Sequence, residues 1–358
     1  MCLCLMRPPS RLSGICLTML SLCALAGCNR NEKRENVVPQ SLQATSTVCF
    51  GRHIIDVPHD FFIGDGLSGT FSMRNRSALD KPWKIELQMV ATGLSETQFR
   101  AGIASRKADL EASTSGNLDR VTESRSVGDN AHIFHVNAVN QAYSTELHML
   151  VGGHYIVASA DSYHDQFKEA EAQLIAFTRN MAERRSADTG SAAGDGYCFG
   201  ALTVRGAFEK EYTTLLLRSK RHPDITIDVT SDTYAPDPTE PLLQRVEDEQ
   251  SLLRRLKGDN KVIRKGELQV ASMKAQEWLS WIMLGEGEER HKQYRLVLET
   301  MRPDPSPSKP LINIEMATGA VDDVGSARPL SLDEPQLVNL WDGVTRSLRP
   351  VQGKQVRP

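Results

Sequence analysis

Beyond residue 28 the 358-residue chain has no apolar run that approaches the length of a membrane span. It also lacks the basic excess that nucleic-acid binding requires. Lys and Arg number 42 against 45 Asp and Glu, and Arg7 and Arg11 fall within the N-terminal leader, so the remainder is mildly acidic. There is no Gly-x-Ser-x-Gly nucleophile elbow; Gly66-Leu67-Ser68-Gly69 is one residue short and reads as loop. Walker loops are missing too, and Gly285-Glu286-Gly287 lacks the further glycine of a dinucleotide site, so it reads as a hairpin tip. A metal centre needs three or four converging ligands. His132 and His135 alternate to opposite faces of a predicted strand, and His148 and His154 flank a turn without a carboxylate or thiol at ligand spacing. No catalytic residue, metal or cofactor is therefore expected.

What the chain does have begins at its N-terminus. Arg7 and Arg11 precede an apolar run from Ile15 to Ala26, and no acidic residue occurs before Glu32. That is the pattern of a secretory signal peptide. It ends in Leu25-Ala26-Gly27-Cys28, which resembles the lipobox of bacterial lipoproteins: cleavage before Cys28 would expose the thiol that accepts the lipid. Several acyl chains on one residue hold a protein to a membrane durably. The non-aspartate Asn29 after the cysteine points to the outer membrane, facing the periplasm. Residues 28–46 then read as the lipidated N-terminus and a flexible tether. Four of the seven cysteines leave with the signal. Cys49 and Cys198 remain besides Cys28, and either they form a disulfide, which the periplasm permits, or each is a small buried hydrophobe in its own strand.

The mature chain reads as written twice. Val48-Cys49-Phe50-Gly51 heads one copy and Tyr197-Cys198-Phe199-Gly200 the other. Helical apolar spacing repeats behind each head: Phe99, Ile103 and Leu110 match Leu242, Val246 and Leu253, and Leu174, Phe177 and Met181 match Leu337, Leu340 and Val344. Ser95 and Gln98 predict a capping box for the first helix, Ser331 and Glu334 one for the last. Lys84–Met89 and Thr226–Val229 alternate as half-buried strands. Gly152-Gly153 reads as a tight hairpin between strands at 145–151 and 155–160. A helix is expected from Gln166 to Glu183, and another through Leu256, stopped at Gly258. The result is an α+β protein of two tandem, duplicated domains, each an antiparallel sheet with two helices. The boundaries are a signal peptide at 1–27, the tether at 28–46, domains at 47–185 and 197–350 joined by a Ser/Ala/Gly-rich linker at 186–196, and a tail at 351–358.

Doubled domains without a chemistry motif point to binding. Trp278 and Trp281 fall on opposite faces of one strand and read first as core, with an interface anchor as the alternative. Glu286, Glu288 and Glu289 form an acidic hairpin tip that could meet a basic partner patch.

A lipobox, then Thr47-Val48-Cys49-Phe50-Gly51-Arg52-His53-Ile54-Ile55-Asp56-Val57-Pro58, then the second head at Tyr197, resembles the two-domain immunity lipoproteins that neutralise type VI secretion lipase effectors. The second head lacks the Arg-x-x-Ile-Asp stretch that follows the first. The resemblance implies a periplasmic inhibitor whose partner is a cognate secreted lipase or phospholipase, clasped between the domains so that its active site is covered. The other reading is an envelope lipoprotein that binds a small ligand, lipid or cell-wall component between its domains.

Overall fold

Alternating apolar and polar residues become antiparallel strand throughout the computed structural model. It describes residues 44–351 apart from 65–66, 74–82, 113–119, 140–141, 164–165, 185–195, 207, 235–239, 248–258, 286–289, 302–305 and 320–327. The leader, Cys28, nearly all of the linker, Leu253 and the three glutamates of the acidic tip lie outside the described residues.

The first half of the chain runs β1 (Thr45–Gly51), β2 (His53–Pro58), β3 (Phe61–Ile63), β4 (Ser68–Met73), β5 (Trp83–Ala91), α1 (Glu96–Ala112), β6 (Arg120–Ser126), β7 (Ala131–Val139), β8 (Ala142–Val151), β9 (His154–Tyr163), α2 (Phe167–Thr178) and β10 (Met181–Glu183). The second runs β11 (Gly196–Phe199), β12 (Leu202–Arg205), β13 (Lys210–Ser219), β14 (Thr226–Asp232), α3 over residues 242–247, β15 (Asn260–Val270), β16 (Met273–Leu284), β17 (His291–Thr300), β18 (Leu311–Ala317), α4 (Glu334–Arg346) and β19 (Arg349–Pro350).

The halves do not build separate sheets. One large sheet has the order β15-β16-β17-β18-β14-β13-β4-β5-β9-β8-β7-β6, with β3 also on β13. Outward from the β13/β4 seam, each side visits its half's strands in the same order. The small sheet, β10-β12-β11-β1-β2-β19, exchanges strands: β10 pairs with β12 of the second half, and β19 pairs with β2 of the first. Arg349 fastens the second exchange by two hydrogen bonds to Asp56, at 2.7 and 3.0 Å. At the centre of the small sheet Phe50 lies opposite Phe199, and Cys49 is disulfide-bonded to Cys198 across a Cα–Cα distance of 5.7 Å.

The core lies between the sheets. Ile85 and Leu87 of β5, Leu215 and Leu217 of β13, and Ile227 and Val229 of β14 are buried on the inner face of the large sheet. They meet Phe50, Tyr197 and Phe199 of the small one, and the Phe71 ring stands 4.6 Å from Tyr197 and 5.0 Å from Phe177 of α2. Helices α2 and α4 close the ends of this inner face through Leu174, Phe177, Leu337, Leu340 and Trp341. The opposite face is covered by α1, whose Leu110 and Ile103 pack on Phe134 and Val136, and by α3, whose Leu242 and Val246 pack on Trp278 and Val297.

Several local expectations shift. The Ser95–Gln98 capping box is present, with Gln98 N–H donating to Ser95 Oγ at 3.3 Å. That of the last helix moves two residues: Asp333 caps it, accepting from Gln336 N–H at 2.8 Å. Ser331 cannot serve there because its N–H donates to Asp224 and its hydroxyl faces His222. Helix α2 ends at Thr178, so Met181 begins β10 instead of extending the helical stripe. The tether ends sooner than expected because Thr45 and Ser46 belong to β1. Likewise Gly196 opens β11, Ser68 and Gly69 lie on β4, and Val351 packs on the disulfide. Gly152 and Gly153 do form the tight turn, at φ of 56° and 79°.

Candidate partner-binding surface

The outer face of the large sheet is open at its middle. Glu86 and Gln88 alternate outward from buried Ile85 and Leu87, and Asp228 outward from Ile227 and Val229. Among the described residues no helix lies over this face of β5, β4, β13, β14 and β18; α3 sits on flanking strands, and α1 reaches inward as far as Tyr155 of β9, whose ring stands 5.2 Å from that of Phe99. This face mixes polar side chains with Val157, Leu216 and the 72 % exposed Tyr163, and with the sheet's other side buried in the core it is left free for contact. Between β4, β5 and β9 this face is dished into a groove of about 280 Å³ lined by Ser68, Thr70, Glu86, Gln88, Val157 and Ser159. Asp228 lies directly opposite Glu315 across β14 and β18. Burial and then the neighbouring Glu315 charge raise the Asp228 carboxyl above its ordinary value, while Arg295 is held by Glu315 at 2.9 Å. Such a surface suits a polar macromolecular contact better than a small apolar ligand, whose sites are enclosed and mostly hydrophobic.

Both walls are fixed by ion pairs placed alike in the two halves. Arg106 of α1 grips Glu146 of β8 at 2.6 Å, and Arg245 of α3 grips Glu299 of β17 at 2.8 Å. On the inner face Arg125 of β6 pairs with Glu171 of α2, and Arg264 of β15 with Asp342 of α4.

The tryptophans occupy opposite faces, as their spacing predicts. Trp278 is 4 % exposed under α3, and Trp281 is half-buried against the main core with the Lys292 ammonium 4.4 Å from its ring centroid. Trp278 is thus core, and neither tryptophan stands on the open middle of the sheet. The histidines carry more than their spacing suggested. Glu146, two residues before His148 and so on the same face, accepts from its Nε2 at 2.9 Å, and Tyr155 bonds its Nδ1 at 2.7 Å. Burial opposes charge on Glu146, yet bonds from His148 and Arg106 bring its carboxyl down to about 2. Burial and the Glu146 charge push Tyr155 up to about 12. His135 likewise meets Glu171 at 2.9 Å and, with Glu123, makes three groups at metal-ligand distances. Arg125 and Lys168 already neutralise those two carboxylates, which makes the cluster a salt-bridge network between β6, β7 and α2. The Glu partners were legible only in part: Glu146 by period-two alternation, Glu171 not at all, since it comes from a distant helix.

Residues 193–353 match the family described as the Tle cognate immunity protein 4 C-terminal domain. The chain resembles that family over this segment, which is a little under half of its length. The fold of nearly the whole described chain is shared with solved immunity proteins. An apo structure of the type VI secretion immunity protein TplEi from Pseudomonas aeruginosa superposes with a TM-score of 0.61 at 18% identity, covering 87% of this chain and 98% of that one. The immunity-type chain in a Tle4–Tli4 complex gives 0.61 at 19% identity over 87% and 99%. TplEi complexed with an "L" peptide gives 0.59 at 18% identity over 86% and 99%. Among curated protein sequences none matches.

Proposed function

We propose that the protein is a periplasmic immunity protein that binds a cognate type VI secretion lipase and blocks access to its active site. The family match over residues 193–353 carries this reading, together with a fold shared end to end with a protein solved in a Tle4–Tli4 complex. The open outer face, walled by α1 and α3, is the surface we assign to the enzyme. Its uncovered strands come from both halves, which meet at the β13/β4 seam, so a partner seated across them is held by both at once, and two linked contacts bind more tightly than either alone. Tight inhibition requires a broad surface with a few buried anchors, which a sheet face this wide can supply.

The halves are read as an ancient duplication. The mirrored strand order and the paired placement of Arg106–Glu146 with Arg245–Glu299 support it. The N-terminus is read as a lipoprotein signal, with Cys28 acylated and the folded unit held at the periplasmic side of the outer membrane; the Leu25-Ala26-Gly27-Cys28 run supports that. The acidic tip at Glu286, Glu288 and Glu289, at the end of β16 and β17, remains a candidate rim contact whose loss should slow association more than it weakens the complex.

Capture tests the central reading. A fragment from residue 29 onward should retain the lipase encoded beside this gene in a pull-down. A neighbour with Gly-x-Ser-x-Gly that passes through unretained would sink it.

A further inference from the structure

Strand β1 starts at a rim of the large sheet where exposed cations, with no salt bridge among the described residues, lie beside an exposed aromatic ring. The Ala44 carbonyl accepts from the His59 N–H at 3.1 Å, and the Asp60 carbonyl from the Lys220 N–H at 3.0 Å. The start of β1, the β2–β3 turn and the end of β13 therefore meet at one place. There β3 sets Phe62 opposite Arg218. The Phe62 ring is 42 % exposed, and the Lys220 ammonium lies 5.6 Å from its centroid. Arg218, Lys220 and Arg221 are all exposed, and among the described residues none of them forms a salt bridge. The acids nearby turn inward: Asp60 accepts from the Ser219 hydroxyl, and Asp224, 1 % exposed, accepts from the Ser331 N–H. The rim thus presents cations and an apolar ring outward and keeps its carboxylates within.

Cations flanking an exposed aromatic are what an anionic bilayer surface takes up, the ring at the acyl boundary and the charges among phosphates. Position argues the same way. Only residues 29–43 separate Cys28 from Ala44, a length of chain that reaches at most ~50 Å.

We propose that this rim is a membrane-contact surface, seated on anionic phospholipid headgroups with Phe62 in the interface and Arg218, Lys220 and Arg221 against the phosphates. Delivery to the bilayer rests on the Cys28 anchor proposed above, whereas the contact itself does not. It would hold the open sheet face in a fixed attitude to the membrane that a lipase attacks.

The test uses the unacylated fragment from residue 29 onward, which contains the whole compact unit of residues 38–358, so that failure of acylation cannot mimic failure of the rim. Its flotation is measured with vesicles of phosphatidylcholine alone and of phosphatidylcholine mixed with phosphatidylglycerol, at low and high salt. Phosphatidylglycerol-dependent, salt-sensitive flotation is expected for the parent. Each surface cation contributes about fivefold in partitioning, so Lys220→Gln with Arg221→Gln should lower it about 25-fold. Phe62→Ser should weaken flotation but leave its salt dependence. Equal flotation with both lipids, no flotation of the parent, or no change in the double variant overturns the proposal. So does a double variant that loses lipase capture but keeps vesicle binding, since the rim would then be a protein contact.

Discussion

Replacing Cys49 and Cys198 together by alanine removes a cross-link that closes 149 residues of chain. In the chain-entropy account a loop of that length restricts the unfolded state by about 5 kcal/mol. That is a third or more of the stability of an ordinary domain, which lies at about 5–15 kcal/mol. The bond joins β1 to β11, where only Phe50–Phe199 and Gly51–Cys198 pair across the middle of the small sheet, so few ladder hydrogen bonds compensate there. Both sulfurs are buried, at 1 % and 0 % exposure, so reductant should act only on unfolding. Alanine is the better probe than serine, whose hydroxyls would be buried among Ile54 and Val351 at additional cost. Urea denaturation followed by tryptophan fluorescence reads the change. The midpoint should fall by more than about 1 M, with a steeper slope because the released unfolded chain exposes more surface, given slopes of roughly 1–3 kcal/mol per M or above. A midpoint within about 0.2 M of the parent would refute the reasoning, since the loop would then be confined by something other than the bond.

Three further outcomes follow from particular groups. His53 is 1 % exposed, and burial with the adjacent Arg52 charge lowers its imidazole to about 4; the unfolded chain therefore takes up the proton first, and stability should drain by about 3 kcal/mol as pH falls from 6.5 to 4. His53→Gln should flatten that part of a stability-versus-pH curve, and an unchanged slope would refute the assignment. Cys28→Ser should abolish incorporation of labelled fatty acid, whereas equal labelling would remove the lipid anchor. Either half expressed alone, divided within residues 186–195, should inhibit a lipase far less than the intact chain, because β10 and β19 each complete the other half's strands; a half that inhibits as strongly as the whole contradicts the shared surface.

Much of the fold was legible because each long strand keeps one face dry: Lys84–Met89 and Thr226–Val229 announce themselves by alternation. The Ser95–Gln98 cap was legible for the same local reason. The exchange of β10 and β19 was not, because two or three residues such as Met181–Glu183 carry no period, and their pairing is decided by chain ends returning across the molecule. Asp333 displaced Ser331 as cap through tertiary hydrogen bonds to Asp224 and His222 that no local pattern encodes. The candidate surface was hidden for a related reason. Glu86, Gln88 and Asp228 look like ordinary solvent-facing strand residues, and only the merging of two halves into one sheet makes them neighbours on a single open face.

Occlusion is measured by titrating a candidate cognate lipase, assayed on phospholipid vesicles, with the fragment from residue 29 onward. Activity should fall linearly to near zero at one equivalent, as for a tight one-to-one inhibitor. Undiminished hydrolysis at a several-fold excess of the folded fragment would contradict occlusion.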